Sequence, residues 1–280
     1  MTFSFAALSS ALPGGGVPNM PPPLGQLIAG FATLAAGIAA FTRRREHRPL
    51  NSPHGSRRVL LYILAYALTS LSFMRVMAPA LLGRQDSPWL LALGDVLCVT
   101  LALYVWVVAL AERYEARDFG LHGAPPARML LSLLMGLGSV VVVAFWSWRR
   151  IWLGGVAPSD DTLIFALTFS VLGSAIPEEL LFRGLLMSSL NGRYPRWARV
   201  AIPALAFTAV HSLRLLPGVD LAPVEWLNWV FGTVLPLGLW WGLMRDLAGG
   251  SLWPGLLSHV LIEFVTFLAG APRYGSMFAP

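Results

Sequence analysis

Residues 162–190 form an apolar run long enough to cross a bilayer, yet Glu178, Glu179 and Arg183 stand in its interior. Each charge at the middle of a membrane helix costs roughly 2.5 to 3.5 kcal/mol, so three ask for something on the order of 8 to 10 kcal/mol before any pairing. Glu179 and Arg183 are spaced i, i+4 and share a helix face, so they can neutralise each other as an ion pair. Glu178 stands about 100° round the helix from Glu179 and about 140° from Arg183. A structural ion pair therefore accounts for two of the three charges and leaves Glu178 for chemistry.

The rest of the chain is equally apolar. Of its 280 residues 56% are hydrophobic and only 12% charged, which fits a polytopic membrane protein without a sizeable soluble domain. Eight apolar segments can be drawn, at roughly 24–42, 59–83, 88–111, 127–148, 162–190, 199–214, 226–244 and 252–270. Backbone groups left unpaired in lipid are so costly that such segments must be helices or a closed barrel. Continuous apolar runs without period-two alternation exclude the barrel. The expected fold is thus all-α, a polytopic membrane bundle of about eight transmembrane helices. The sixth segment is short and calls for extension by its flanks or a different tilt.

Residues 1–23 are rich in Pro and Gly and carry no basic residue, so they read as an irregular tail rather than a cleavable leader. Residues 271–280 read as a C-terminal tail. The polar connection Arg117 to Pro126 divides an N-terminal three-helix membrane part, 24–117, from a five-helix part, 118–270, which holds every strong chemical signal.

All 20 basic residues are arginines, and they fall mainly in the loops. If the loop after the first segment is cytoplasmic, 13 arginines lie on its side and 5 on the other, with Arg75 and Arg183 intramembrane. The positive-inside rule then puts both termini outside. The same distribution reads the basic balance as a topology signal and not as a nucleic-acid surface; membrane lipids are the expected surroundings. Trp89, Trp146, Trp148, Trp152, Trp197, Trp226 and Trp253 lie near segment ends, as interfacial anchors do. The single cysteine, Cys98, excludes an internal disulfide and any cysteine metal cluster, and reads as a small buried hydrophobe. Arg75 and Asp95, on the second and third segments, are expected to pair, and Asp160 with Asp161 to cap the fifth helix.

Two further segments carry histidines. Phe207 and His211 are spaced i, i+4 on the sixth, and His259 and Glu263 i, i+4 on the eighth. The remaining histidines, His47, His54 and His122, fall in loops. Together with Glu178, the two intramembrane imidazoles suit either of two sites. Glu178 can act as a general base, aided by His211, that draws a proton from a water attacking a carbonyl. Alternatively Glu178, His211 and His259 make a three-ligand set of the kind that holds catalytic zinc, although no His-Glu-x-x-His helix is present.

Glu-Glu-x-x-x-Arg with a following Gly (Glu178, Glu179, Arg183, Gly184), Phe-x-x-x-His (Phe207, His211) and His-x-x-x-polar (His259, Glu263), in this order on separate predicted helices, resemble the CPBP family. These are intramembrane endopeptidases related to the CAAX prenyl endopeptidase and to proteins of bacteriocin processing and self-immunity. The resemblance covers about residues 118 to 270. It implies an eight-helix bundle around a polar cavity, lined in part by Phe207, in which Glu178 and His211 activate water. Glu179 and Arg183 would fix the helix, and His259 with its i+4 partner would line the oxyanion site. No cofactor is favoured, with zinc the alternative. One departure stands out: Glu263 occupies a position where the family commonly has Asn, and an ionised carboxylate donates no hydrogen bond to an oxyanion.

The activity so implied is hydrolysis of a peptide bond near the C-terminus of a membrane-embedded or lipid-anchored protein. A C-terminal sorting helix or a small membrane peptide is the expected substrate, in a bacterial inner membrane. A non-enzymatic immunity or scaffold protein of the same fold is the alternative. A proton-coupled transporter would also use intramembrane Glu, Arg and His, but no inverted repeat is evident.

Overall fold

A computed structural model describes residues 50–270 except 53, 84–87, 155–159 and 216–222, with helix residues such as 71–83, 88–94 and 146–154 described by their backbone alone. Among the described residues are seven long helical elements and no strand. They are α1 (Gly55–Gly83), α2 (Pro88–Glu112), α3 (Pro126–Gly154), α4 (Asp160–Thr168 running on through Met187–Ser189), α5 (Arg196–Leu215), α6 (Pro223–Trp229 running on through Leu235–Leu247) and α7 (Trp253–Gly270). Each matches one of the apolar segments from 59–83 onward; segment 24–42 and both tails lie outside the described residues. The short sixth segment is lengthened by its flanks into a 20-residue helix.

Three stretches, Asp95–Glu112, Pro126–Phe145 and Leu227–Leu247, are long and apolar enough to cross a membrane. Their outward faces suit lipid. On α2, Val96, Val99, Leu103, Trp106 and Leu110 are exposed, while Cys98, Leu101, Tyr104, Val105 and Val108 are buried, so the two sets divide the helix into a lipid face and a protein face. An exposed apolar stripe of this length would be a liability in water.

The core is organised around α4, which contacts α1, α2, α5, α6 and α7, whereas α3 packs along α6 and α7. Its segment Leu181–Met187 is buried throughout. Cys98 of α2 lies so close to Gly173 of α4 that a β-carbon there would come within 2.7 Å of its sulfur, so glycine is what allows the two helices to approach. As expected, Cys98 is buried and free.

α4 and α6 are not uniform α-helices. Wider π-helical turns occupy Phe169–Ala175 and Glu179–Leu186 in α4 and Val230–Val234 in α6. Two of these end just before a proline, Pro177 and Pro236, and in both cases glycine stands four residues earlier, at Gly173 and Gly232. Proline lacks an N–H, and its ring collides with the carbonyl four residues back. A wide turn moves that carbonyl aside: the N–H of Ile176 bonds to Val171 O and that of Leu235 to Val230 O, five residues back instead of four.

The arginine-rich loops gather at one end of the bundle. Arg193 donates to Ser52 O at 3.0 Å, Ser189 to the Ser56 hydroxyl at 3.1 Å, and Ser251 to His122 O at 2.7 Å, while Arg196 pairs with Asp246. Leu252 N–H donates to Gly120 O at 2.8 Å. Gly120 has φ of 78°, and a β-carbon there would stand 2.5 Å from Gly250 O, so this crossing of two loops requires glycine. Trp197 and Trp253, both exposed, start α5 and α7 at this end, where interfacial anchors belong.

One buried charge, Arg245, stands differently from the sequence expectation, and the expected pairing of Asp95 with Arg75 falls partly outside the described residues. Asp95 hydrogen-bonds Thr168 of α4; the side chain of its expected partner Arg75 lies outside the described residues. Arg245, counted from sequence among the loop arginines, lies inside the last turn of α6 and is buried. Its guanidinium donates to the carbonyls of Arg183, Gly184 (3.2 Å) and Gly250 (3.1 Å) and to the Ser188 hydroxyl (2.7 Å). The helix ran past the apolar segment because these carbonyls, two of them in the wide turn of α4, need donors that only a long, fork-shaped cation reaches.

Candidate active site

Three helices bring the predicted residues together. Glu178, Glu179 and Arg183 come from the middle of α4, Phe207 and His211 from α5, and His259 and Glu263 from α7. Glu178, Glu179, Arg183 and His259 are completely buried.

The ion pair read from the i, i+4 spacing is present: Arg183 Nη1 lies 3.0 Å from Glu179 Oε1. Arg183 also donates to Gly238 O at 3.4 Å, and its guanidinium lies over the rings of Phe207 (4.1 Å) and Trp241 (5.2 Å). Aromatic faces therefore offset part of the cost of burying this cation. Phe207 is thus packed between Arg183, Phe182 and Trp241, with its ring centroid 4.1 Å from that of His211.

Glu179 has a second task that the sequence did not reveal. Its Oε1 also meets His259 Nδ1 at 3.0 Å, so one carboxylate oxygen serves both the arginine and the imidazole. Its Oε2 is buried against Gly255, where a β-carbon would come within 3.4 Å, and this is how α7 approaches α4 closely enough. Trp241 stacks on the His259 ring with centroids 3.8 Å apart and planes inclined by 17°. The indole is in turn held by a 3.3 Å hydrogen bond to Ser258, itself 3.0 Å from Ser139 of α3. His259 is thereby fixed in plane by Glu179 and in tilt by Trp241.

Glu178 Oε2 faces the two imidazoles, 3.9 Å from His211 Nε2 and 3.8 Å from His259 Nε2, and receives the Ser174 hydroxyl at 3.4 Å. Oε1 receives the Tyr66 hydroxyl at 3.2 Å. His211 Nδ1 is 3.0 Å from Phe207 O. A carbonyl oxygen only accepts, so Nδ1 carries a proton and Nε2 is the nitrogen turned to the side of Glu178. His259 Nε2 is buried without a hydrogen-bond partner among the described residues. Separations near 3.8 Å exceed a direct hydrogen bond and are the reach of a bridging water.

Glu263 Oε1 is 3.7 Å from His259 Nε2, the same nitrogen that Glu178 faces. It does not orient His259 through Nδ1, since Glu179 does. Glu263 and His211 are also the members that solvent reaches, at 31% and 12% of their side-chain surface.

Glu178, His211 and His259 stand somewhat wider apart than the ligands of a bound zinc ion. Bonds of about 2.0–2.2 Å in a tetrahedron put ligand atoms roughly 3.4 Å apart, against 3.8 and 3.9 Å here. Among the described residues no group of three or more His, Cys, Asp or Glu has metal-holding geometry.

Tyr66, Ser174 and Trp241 were missed from sequence. None left a signal there: Trp241 stands three residues from the end of its segment, 226–244, where a tryptophan reads as an interfacial anchor.

No curated protein and no solved structure matches the chain. Residues 160–265, which carry every motif side chain of the site, match the family model described as Type II CAAX prenyl endopeptidase Rce1-like. With its membrane-length apolar helices the chain is an integral membrane protein, and its residues 160–265 are similar to this Rce1-like protease family, in keeping with the resemblance of its three motifs.

Proposed function

We propose that the protein is a glutamic-type intramembrane endopeptidase that cleaves near the C-terminus of a membrane-embedded or lipid-anchored protein. The observation that carries this reading is the convergence of Glu178 Oε2, His211 Nε2 and His259 Nε2 within 3.9 Å at the centre of a buried site.

Water bridging Glu178 Oε2 and His211 Nε2 is the nucleophile. Glu178 takes its proton as the oxygen attacks the scissile carbonyl, and His211 holds the other hydrogen. The negative charge that grows on the carbonyl oxygen is met by His259. With Nδ1–H held by Glu179, an imidazolium presents Nε2–H, and a buried donor without a standing partner costs about 1–3 kcal/mol until such an acceptor arrives. Glu178 then passes the proton it took to the leaving amine. Arg183 takes no part in proton transfer; it balances Glu179 so that this carboxylate can hold His259.

Glu263 in this scheme influences His259 by charge from the rim and is no donor to the oxyanion. Glu263→Gln is accordingly expected to change kcat by less than about tenfold, the range of a single hydrogen bond or rim charge. A loss as deep as that of a Glu178 variant would make Glu263 a proton donor and overturn this assignment.

Substrate identity is tested in cells. In the source organism, deletion of the gene is expected to leave a small set of membrane-anchored proteins with uncleaved C-terminal segments, detected by quantitative mapping of C-termini. Full processing of every membrane protein in the deletion strain would favour a scaffold role.

A further inference from the structure

Glu178 receives a hydrogen bond from outside residues 160–265. Tyr66 of α1 donates its hydroxyl to Glu178 Oε1 at 3.2 Å, and both side chains are completely buried. The two carboxylate oxygens therefore differ: Oε1 meets a phenol on α1, whereas Oε2 meets Ser174 and the imidazoles of His211 and His259. A glutamate side chain has three rotatable bonds, and its terminal torsion is broad and roughly two-fold. A donor fixed on one side determines which oxygen looks inward.

Tyr66 is itself held in register. Arg58, Tyr62 and Tyr66 recur at i, i+4 and i+8 along one face of α1. Arg58 pairs with Glu112 of α2 at 3.4 Å, the Tyr62 hydroxyl donates to the same carboxylate, and Tyr104 of α2 donates to Tyr62 O at 2.9 Å. These contacts fasten α1 to α2, and Tyr66 continues the row one turn deeper. In such apolar surroundings phenylalanine would fill the same volume, and a buried hydroxyl is costly unless it is bonded.

We infer that Tyr66 is a positioning residue for the Glu178 carboxylate: it anchors Oε1 so that Oε2 addresses water and the two histidines, which makes α1 part of the site. The inference rests on the reading of Glu178 as the base.

The test uses the full chain in lipid nanodiscs, comparing wild type with Tyr66→Phe. Infrared difference spectra, with the Glu178→Gln protein subtracted, isolate the Glu178 carboxylate stretches; their splitting is expected to change when the phenol is removed. On an internally quenched farnesylated peptide, kcat is expected to fall about 10- to 30-fold with KM within about twofold, as for loss of a hydrogen bond to a charged group. Should Tyr66→Phe fail to fold, 3,5-difluorotyrosine at position 66, a stronger donor, is expected to move the splitting in the opposite direction. Carboxylate bands that stay identical overturn the inference, whatever the kinetics. If the bands move but wild type leaves the peptide intact, the anchoring stands and the protease reading is what fails on this probe. If wild type cleaves and the variant neither shifts nor slows, Tyr66 is only packing and the protease reading survives.

Discussion

Glu178→Gln is expected to leave a folded, membrane-embedded protein whose peptidase rate is lower by about 10²- to 10⁴-fold, the usual contribution of a positioned general base. Glutamine keeps the shape of the side chain, and its carbonyl still accepts from the Tyr66 hydroxyl that lies 3.2 Å from Glu178 Oε1. It lacks the proton affinity needed to take hydrogen from water. Because the substitution removes a buried charge, thermal stability should hold or rise while activity disappears. The measurement is cleavage by purified protein, compared with its melting curve. In the same assay chelators should leave the wild-type rate unchanged. Loss under chelation with recovery on added zinc would make Glu178 a ligand instead of a base, and a fully active Glu178→Gln protein would end the assignment altogether.

The largest effect on stability belongs to Arg183. Arg183→Ala strands Glu179, whose Oε1 is bonded to both Arg183 and His259 at 3.0 Å in a site closed to solvent. Breaking a buried pair by removing one partner typically costs about 3–5 kcal/mol, and Glu179 then keeps only His259 as a partner for its buried charge. The alanine also removes the cation lying over Phe207 and Trp241. Denaturation of the purified variant should begin at markedly lower denaturant or temperature than that of wild type. The double variant Arg183→Met, Glu179→Leu should recover much of the stability, since both charges leave together. It should not recover activity, because His259 then has no carboxylate on Nδ1. A strongly non-additive cycle is expected; simple additivity would mean that the two residues do not act as a pair.

The helices were legible because lipid leaves the chain little choice. Any apolar run of spanning length must satisfy its own backbone, so the segments from 59–83 to 252–270 reappear as α1 to α7 with ends moved by a few residues. The carboxylates and imidazoles were legible for a related reason, since an ionisable group in such a run is conspicuous. What stayed hidden carried no such mark. Tyr66 is uncharged, sits in an ordinary aromatic-containing helix and reaches Glu178 only through tertiary packing. The shared use of Glu179 by Arg183 and His259 joins residues 80 positions apart, which no local spacing reports. Arg245 was assigned to a loop because it follows the apolar segment directly; hydropathy cannot tell a solvated arginine from one turned inward onto carbonyls.

The wide turns that precede Pro177 and Pro236 have a further consequence. Each lodges an additional residue in the helix, and one residue is worth about 100° of rotation. The wide turn takes that residue up, so the helix beyond it keeps the phase of an ordinary helix one residue shorter, and Glu178 and Trp241 follow those turns closely in α4 and α6. Were either turn to relax to ordinary pitch with all its residues kept, as on replacing its proline, the extra residue would pass into the helix and turn the downstream side chain by about 100° away from its imidazole, with no residue of the site altered. In this bundle the proline that holds each wide turn open, Pro177 or Pro236, is as much a determinant of the site as the residues in it.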